Sequence, residues 1–493
     1  MTALLLAAAL VSADGPPNVL LILCDDLGYG DVSPLNPAST IPTPAFHRLA
    51  GEGMTFTDAH TPSAVCTPTR YGLLTGRYAW RSPLKKGVLG GYSKPLIEED
   101  RSTVADVMKA AGYRTSVVGK WHLGLGWQWP NGTPKGIDNF GKQPGEGQVD
   151  FSKPIAGGPS KLGFDHNFLI PASLDMTPYV YVVGDGVEEE PTETIKNSGF
   201  PAFFRGGAIA PSFRHVEVLD RLVEEASNVI SQESDKPFFL YVPFSSPHKP
   251  VVVADRFKGK GGLGPYSDFI VQTDDAVGRL LDALDASGRA EDTLVIVTSD
   301  NGSFMRKAGD GRPDHTDDPT QQAYRPDSHL ANGPLRGTKA DIYEAGHRVP
   351  FFVRWPGQVE AGATSDAVIS LVDVRPTLAL IADQEPAAED GESMLPALLG
   401  RDYDRGPIIN HSANGTFAVR DGRWKLIFSS GSGGRQKPAG KPFDGVVRLF
   451  DLSSDLAETT NVAADHPAVV KRLTAALREI AGDEVPAEFA EEK

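Results

Sequence analysis

Only two cysteines, Cys24 and Cys66, occur among 493 residues. A disulfide framework is thereby excluded as the source of stability, and Cys24 is expected to end a buried strand rather than to bridge Cys66. Basic residues are also in deficit, with 48 Lys and Arg against 64 Asp and Glu and a net charge of −16. That balance excludes nucleic acid as a partner, because phosphate recognition needs clustered cations. Beyond residue 13 no apolar run approaches the roughly 18 residues needed to span a bilayer, so no membrane partner is expected. No internal repeat is evident. What remains is an ordinary globular composition, 40% hydrophobic and 23% charged, in a chain long enough for two or three units at about 150 residues each.

Met1 to Ala13 reads as a short signal peptide: an apolar run from Leu4 to Val11 is followed by the small residues of Val11-Ser12-Ala13, although a charged n-region is missing. A periplasmic or secreted protein is the expectation. Four later apolar runs are too short for helices, and each ends in polar residues. Asn18 to Leu23 leads into Cys24-Asp25-Asp26, and Thr115 to Val118 into Gly119-Lys120-Trp121-His122-Leu123-Gly124. Phe238 to Val242 leads towards Ser246-Pro247-His248-Lys249-Pro250, and Leu294 to Val297 into Ser299-Asp300-Asn301-Gly302. Such runs suit strands buried on both faces. Helical patterns at Ser102 to Ala111, Val216 to Ile230 and Phe269 to Leu284 separate them. The alternation predicts an α/β fold with a large, mostly parallel sheet sandwiched by helices. Ligands of such sheets bind beyond the carboxyl ends of the strands, so the four polar clusters should converge.

The Gly- and Pro-rich stretch Gly126 to Gly163 has no periodicity and is expected to be a loop, with a substrate-facing wall as one reading and a solvated surface as the other. The catalytic unit is taken as residues 18–400. A second unit, residues 406–493, should be a small α+β subdomain. Thr416 to Arg420 and Trp424 to Phe428 flank the turn signal Asp421-Gly422, Val446 to Leu452 reads as a further strand, and a terminal helix follows Asp465-His466-Pro467.

The most specific stretch is Cys66-Thr67-Pro68-Thr69-Arg70, continuing to Leu73-Leu74-Thr75-Gly76-Arg77. It resembles the C-x-P-x-R signature of type I, formylglycine-dependent sulfatases of the alkaline phosphatase superfamily. Lys120-Trp121-His122-Leu123-Gly124, Asp25-Asp26 and Asp300-Asn301 match that family in its order. The resemblance implies that Cys66 is oxidised to formylglycine by a maturation enzyme. It implies one Ca²⁺ held by Asp25, Asp26, Asp300, Asn301 and an oxygen of the modified Cys66. Carboxylates and an amide oxygen are a donor set suited to a hard cation. By the same resemblance Arg70 supports the modified residue and Lys120 binds a sulfate oxygen. His122 would assist breakdown of a sulfated-enzyme intermediate, while His248 and Lys339 contact the sulfate and help protonate the leaving oxygen. In an extended segment Lys120 and His122, two apart, would point to one face.

Asp165-His166-Asn167-Phe168 and Asn332 to Gly337 look most similar to the arylsulfatase and N-acetylgalactosamine-6-sulfatase branch, which implies a sulfated carbohydrate as substrate. Two alternatives accompany this: a phosphatase or phosphodiesterase of the same superfamily, and a non-catalytic relative that binds sulfated glycans.

Overall fold

The structure, a computed structural model, describes residues 15–133 and 148–486. The leader read at residues 1–13 lies outside the described residues, as do residues 134–147 of the expected loop. The core is a ten-stranded sheet built on Asn18–Asp25 (β1), Met54–Phe56 (β2), Arg114–Lys120 (β3), His166–Ile170 (β4), Val182–Val183 (β5), Gly186–Val187 (β6), Phe238–Pro247 (β7), Thr293–Ser299 (β8), Phe351–Arg354 (β9) and Ala363–Ser365 (β10). The order across it is β10-β2-β9-β8-β1-β7-β3-β4-β5-β6. The five central strands, from β8 to β4, run parallel, while β9 and β5 pair antiparallel at either side.

β1 holds the centre because both of its faces are covered: Val19 lies opposite Phe239 on one neighbour and Leu294 on the other, and every residue after Asn18 is buried. Each Leu, Ile or Val so buried contributes about 1.5–3 kcal/mol. Cys24 sits one residue before the end of β1, and both cysteines are free.

Helices flank the sheet in two groups. Pro44–Glu52 (α1), Val218–Ser231 (α4) and Pro265–Ala286 (α5) pack together, and Cys66–Thr75 (α2), Val104–Ala110 (α3) and Val374–Ile381 (α6) form the second group. The N-cap of α3 is Thr103. Its hydroxyl accepts from the Asp106 N–H at 3.2 Å, and the Asp106 carboxylate accepts from the Thr103 N–H at 2.9 Å. Each half of this capping box satisfies an orphan donor of the first turn. The flanks of the expected Gly/Pro-rich loop are anchored rather than loose. Trp127 is buried, donates to the Gly91 carbonyl at 2.8 Å and meets Phe151 edge-on.

Four antiparallel strands, Ile408–His411 (β11), Phe417–Asp421 (β12), Trp424–Ile427 (β13) and Arg448–Asp451 (β14), form a second sheet, with Pro467–Ala481 (α7) seated on β12 and β13 through Leu473 and Leu477. Its core includes Tyr78, Trp80 and Val372 from the larger unit. A buried charge network also joins the two. Lys425 Nζ on β13 meets Glu344 Oε1 at 3.0 Å and Glu458 Oε1 at 2.9 Å, all three side chains fully buried. Asp58 takes Arg420 at 2.8 Å and Arg348 at 3.2 Å.

Candidate functional site

The polar clusters at the ends of β1, β3, β7 and β8 meet at the carboxyl edge of the sheet. Asp25 is the last residue of β1, and Asp26 turns the chain with φ 64°. β3 ends at Lys120, whose Nζ donates to Asp25 Oδ2 at 2.6 Å. Gly119 before it has φ 149°, and a Cβ there would lie 1.9 Å from the Pro243 carbonyl oxygen, so only glycine lets β3 approach β7 so closely. Asp300 and Asn301 follow β8. Gly302 is equally confined, since a Cβ would lie 1.8 Å from the Ala345 carbonyl oxygen.

Cys66 opens α2, all ten residues of which are buried. Val65 before it is extended, so the thiol sits at the positive end of the helix dipole. Thr67 and Thr69 fix the first turn by donating to the carbonyls of His122 at 3.0 Å and Ser63 at 2.9 Å. Arg70 lies one turn on and points back into the cluster. Its Nε and Nη2 donate to Asp300 Oδ2 at 3.0 and 2.6 Å, and its Nη1 donates to the Lys120 carbonyl at 2.9 Å. Lys339 arrives from a different segment, its N–H bonded to the Ser303 carbonyl and its Nζ 2.5 Å from Asp26 Oδ1 and 4.0 Å from the Cys66 sulfur.

Burial works to raise the Asp25 carboxyl, but Lys120, His248 and Arg70 outweigh it and hold the group well below the usual carboxylate range. At Asp300 burial wins, with Asp25 adding to it, and pushes the carboxyl up to about 7. Burial likewise pushes the Cys66 thiol up, so the site does not favour a thiolate. Asp25 Oδ1, Asp26 Oδ2 and Asn301 Oδ1 are all buried and accept no hydrogen bond among the described residues. Three orphaned oxygens with Asp300 beside them form a hard donor set that fits a Ca²⁺-like ion. Asp25, Cys66 and Asp300 each bring one ligand atom within 4.8 Å of the others.

The two histidines are placed differently from one another. His122 does not continue the extended segment that would have shared a face with Lys120: β3 stops at Lys120 and His122 takes φ 57°. The turn follows from its neighbours, since Trp121 and His122 both donate backbone N–H groups to the strand end at Ile170 and Pro171, at 3.0 Å each. Its Nε2 lies 2.8 Å from the Leu89 carbonyl, which can only accept, so the proton is on Nε2 and Nδ1 is a bare, buried acceptor. Burial, then Lys120 and Arg70, hold its pKa well below the usual value. His248 follows the end of β7. Its Nδ1 is bound to the Lys249 carbonyl and its Nε2 lies 3.6 Å from Asp26 Oδ2. Burial, then Lys339, lowers its pKa strongly.

All ten residues expected at the site, Asp25, Asp26, Cys66, Arg70, Lys120, His122, His248, Asp300, Asn301 and Lys339, thus lie in one buried cluster. The sequence reading missed Asp175. It is 1% exposed, binds Arg205 Nε at 3.0 Å through Oδ2 and leaves Oδ1 without a hydrogen bond, 3.9 Å from His248 Nδ1. No motif surrounds it in the chain. A cavity of about 930 Å³ adjoins the cluster beside Lys249, Phe304 and Thr338.

Residues 17–383 match the Sulfatase family model, and residues 338–483 match the model for the N-sulphoglucosamine sulphohydrolase C-terminal region. An N-acetylgalactosamine-6-O-sulfatase of Bacteroides thetaiotaomicron is 36% identical over 94% of this chain and 93% of its own. Human arylsulfatase A is 32% identical over 95% of this chain and 89% of its own. A solved structure described under the metabolism of multiple glycosaminoglycans by Bacteroides thetaiotaomicron superposes with a TM-score of 0.80 at 34% identity, covering 94% of this chain and 99% of that one. Among the described residues no helix is long and apolar enough to cross a membrane. A family model over most of the chain, and relatives above 30% identity along nearly all of it, make this protein a member of the sulfatase family and a sulfuric ester hydrolase.

Proposed function

We propose that the protein releases sulfate from a sulfated carbohydrate of the galactose or N-acetylgalactosamine type, with Cys66 converted to formylglycine and one Ca²⁺ held by Asp25, Asp26, Asp300 and Asn301. The observation that carries this is the position of Cys66, at a helix N-terminus, with its sulfur 4.0 Å from Lys339 Nζ and within 4.8 Å of carboxylate oxygens of Asp25 and Asp300. The modified residue would supply a hydroxyl oxygen of its aldehyde hydrate as nucleophile towards sulfur, and the cation would offset the charge of the ester.

The chain's own residues divide the remaining work. Lys120 and Lys339 hold the sulfate oxygens, and each fixed donor contributes about 3 kcal/mol to the charged transition state. Arg70 locks Asp300 and the end of β3 in place. His122, with its proton fixed on Nε2, offers Nδ1 as the base. His248 exchanges a proton through Nε2, since Nδ1 is committed to a carbonyl, and an anion beside it favours the protonated form that serves the leaving oxygen. The N-acetylgalactosamine-6-O-sulfatase likeness supports the sugar class. Export to the periplasm or beyond is part of the proposal, supported by the apolar run Leu4 to Val11 and the small residues that follow it, and N-terminal sequencing from the host tests it.

The test is mass spectrometry of the tryptic peptide Leu49 to Arg70, together with sulfate release from sulfated sugars, aryl sulfates and steroid sulfates by wild type and Cys66→Ala. An aldehyde at residue 66 and turnover of a sugar sulfate that Cys66→Ala lacks are expected. Cleavage confined to aryl or lipid sulfates would remove the carbohydrate assignment, and equal slow release by both proteins would leave only a binding role.

A further inference from the structure

The cavity beside the reaction centre is lined by five cations, Lys249, Arg306, Lys307, Arg336 and Arg435, and by a single carboxylate, Asp341. That is the opposite of the molecule as a whole, which carries a net charge of −16. Asp341 forms no ion pair with them among the described residues: its oxygens accept from the backbone N–H groups of Arg435 at 2.6 Å, Gln436 at 3.0 Å and Thr338 at 3.0 Å.

Among the described residues none of the five lies within ion-pair distance of any carboxylate. Elsewhere arginines such as Arg48, Arg81 and Arg256 each do. The Lys249 ammonium rests over the Phe203 ring at 4.3 Å, and the Arg435 guanidinium reaches only the Phe304 carbonyl at 3.4 Å. Arg336 stacks on Tyr343 at 3.9 Å and donates to the Glu458 carbonyl, while the exposed side chains of Arg306 and Lys307 have no ion-pair partner among the described residues. Burial, with Arg435 next, pulls the Lys249 pKa down to about 8 against the opposing effect of Asp175 and Asp26. Gathering like charges with no carboxylate in ion-pair contact is unfavourable unless an anion joins them.

The cavity is also continuous with the catalytic cluster. Lys249 follows His248 directly, Thr338 precedes Lys339, and the His248 and Phe304 rings lie 6.4 Å apart. A sugar ester held at Cys66 would extend its next residue in this direction.

We propose that the cavity binds a second anion of the substrate, a carboxylate or sulfate on the sugar next to the one being desulfated, with Lys249 and Arg435 as inner contacts and Arg306 and Lys307 as outer ones. The inference rests on the carbohydrate reading above and narrows it: the preferred substrate is a polyanionic oligosaccharide and not an isolated monosulfate. Asp341 orients Arg435 by holding its backbone.

The experiment measures kcat/KM for four probes: p-nitrophenyl sulfate, N-acetylgalactosamine 6-sulfate, a disaccharide of that sugar with a uronic acid, and a disaccharide with a second sulfate. At low salt at least one disaccharide should exceed the monosaccharide by about tenfold or more, as expected for a charge-assisted contact. The advantage should shrink as salt rises, and which disaccharide gains more identifies the anion. Arg435→Gln, and separately the double variant Arg306→Ala/Lys307→Ala, should lower the disaccharide-to-monosaccharide ratio, with Arg435→Lys recovering part of it. Equal kcat/KM for mono- and disaccharides, or a ratio unmoved by the variants, would overturn the second-anion site while leaving the carbohydrate assignment standing. Turnover of p-nitrophenyl sulfate with none of any sugar would instead overturn the carbohydrate assignment and this site with it.

Discussion

Arg70 directs two nitrogens, Nε and Nη2, to a single oxygen of Asp300, at 3.0 and 2.6 Å, with both side chains fully buried. The pairing leaves Asp300 Oδ1 turned towards the Asp26 N–H at 3.2 Å, so one guanidinium sets the orientation of two proposed metal ligands. Lysine cannot reproduce this fork. Arg70→Lys is expected to lower kcat/KM for sulfate release by about 10² and to lower Tm, because Asp300 loses most of its compensation.

The orphaned oxygens of Asp25, Asp26 and Asn301 predict a metal-dependent Tm. Exhaustive treatment with a Ca²⁺ chelator should abolish sulfate release and lower Tm, and Ca²⁺ should restore both. At a hundredfold excess over Kd the stabilisation should approach about 2.7 kcal/mol. A melting curve indifferent to chelator and Ca²⁺ would contradict the donor assignment.

Lys425 is the shared counter-charge of Glu344 and Glu458 where the two subdomains meet. Lys425→Met should cost about 3–5 kcal/mol, the range for stranding buried charge. Burial already pushes Glu458 up to about 7. The loss should therefore be smaller at pH 6, where these carboxyls can take up protons, than at pH 8. Denaturant unfolding at the two pH values measures it.

His411 predicts an acid limb. Burial, with Lys85 nearby, lowers its pKa from the usual 6.5 to about 4. A histidine held neutral in the fold binds its proton more readily when unfolded. Its contribution is therefore intact above pH 6.5 and is lost as pH falls towards 4, by roughly 3 kcal/mol in all. His411→Phe, which keeps the ring against Phe417, should flatten that part of the stability profile.

Gly302→Ala tests how tightly the Asp300-Asn301 segment is held. Its added methyl would overlap the Ala345 carbonyl oxygen, and the cost should be about 1–3 kcal/mol with a loss of activity from displaced Asn301. Circular dichroism melting and sulfate release on the same sample separate the two effects.

The sheet was legible in the chain because its central strands are buried on both faces and so appear as unbroken apolar runs, each ending in residues too polar for the core. Asp25, Lys120 and Asp300 could be found that way, since strand direction alone brings their ends together. Other features had no local signal. His122 takes a left-handed turn imposed by backbone bonds to Ile170 and Pro171, which no spacing rule reveals. Lys425 sits on a strand where a charge ordinarily marks the solvent face, yet it is wholly buried by partners from the distant Glu344 and Glu458. Arg306 and Arg435 belong to separate subdomains and become neighbours of one cavity only through the fold.

The burial of Cys66 carries a consequence for how the protein is made. Its side chain is 2% exposed, at the first turn of a helix with no exposed residue, roofed by Lys339. A modifying enzyme must enclose several residues around its target, and the folded chain offers none of Cys66 to Arg70. If Cys66 is converted to formylglycine as proposed, the oxidation has to be finished while this segment is still an unfolded peptide. Folding seals whichever chemical state it finds. Chains that collapse first would be stable, correctly shaped and permanently inactive, so the yield of working enzyme in a foreign host should be set by a race between modification and folding and not by expression level.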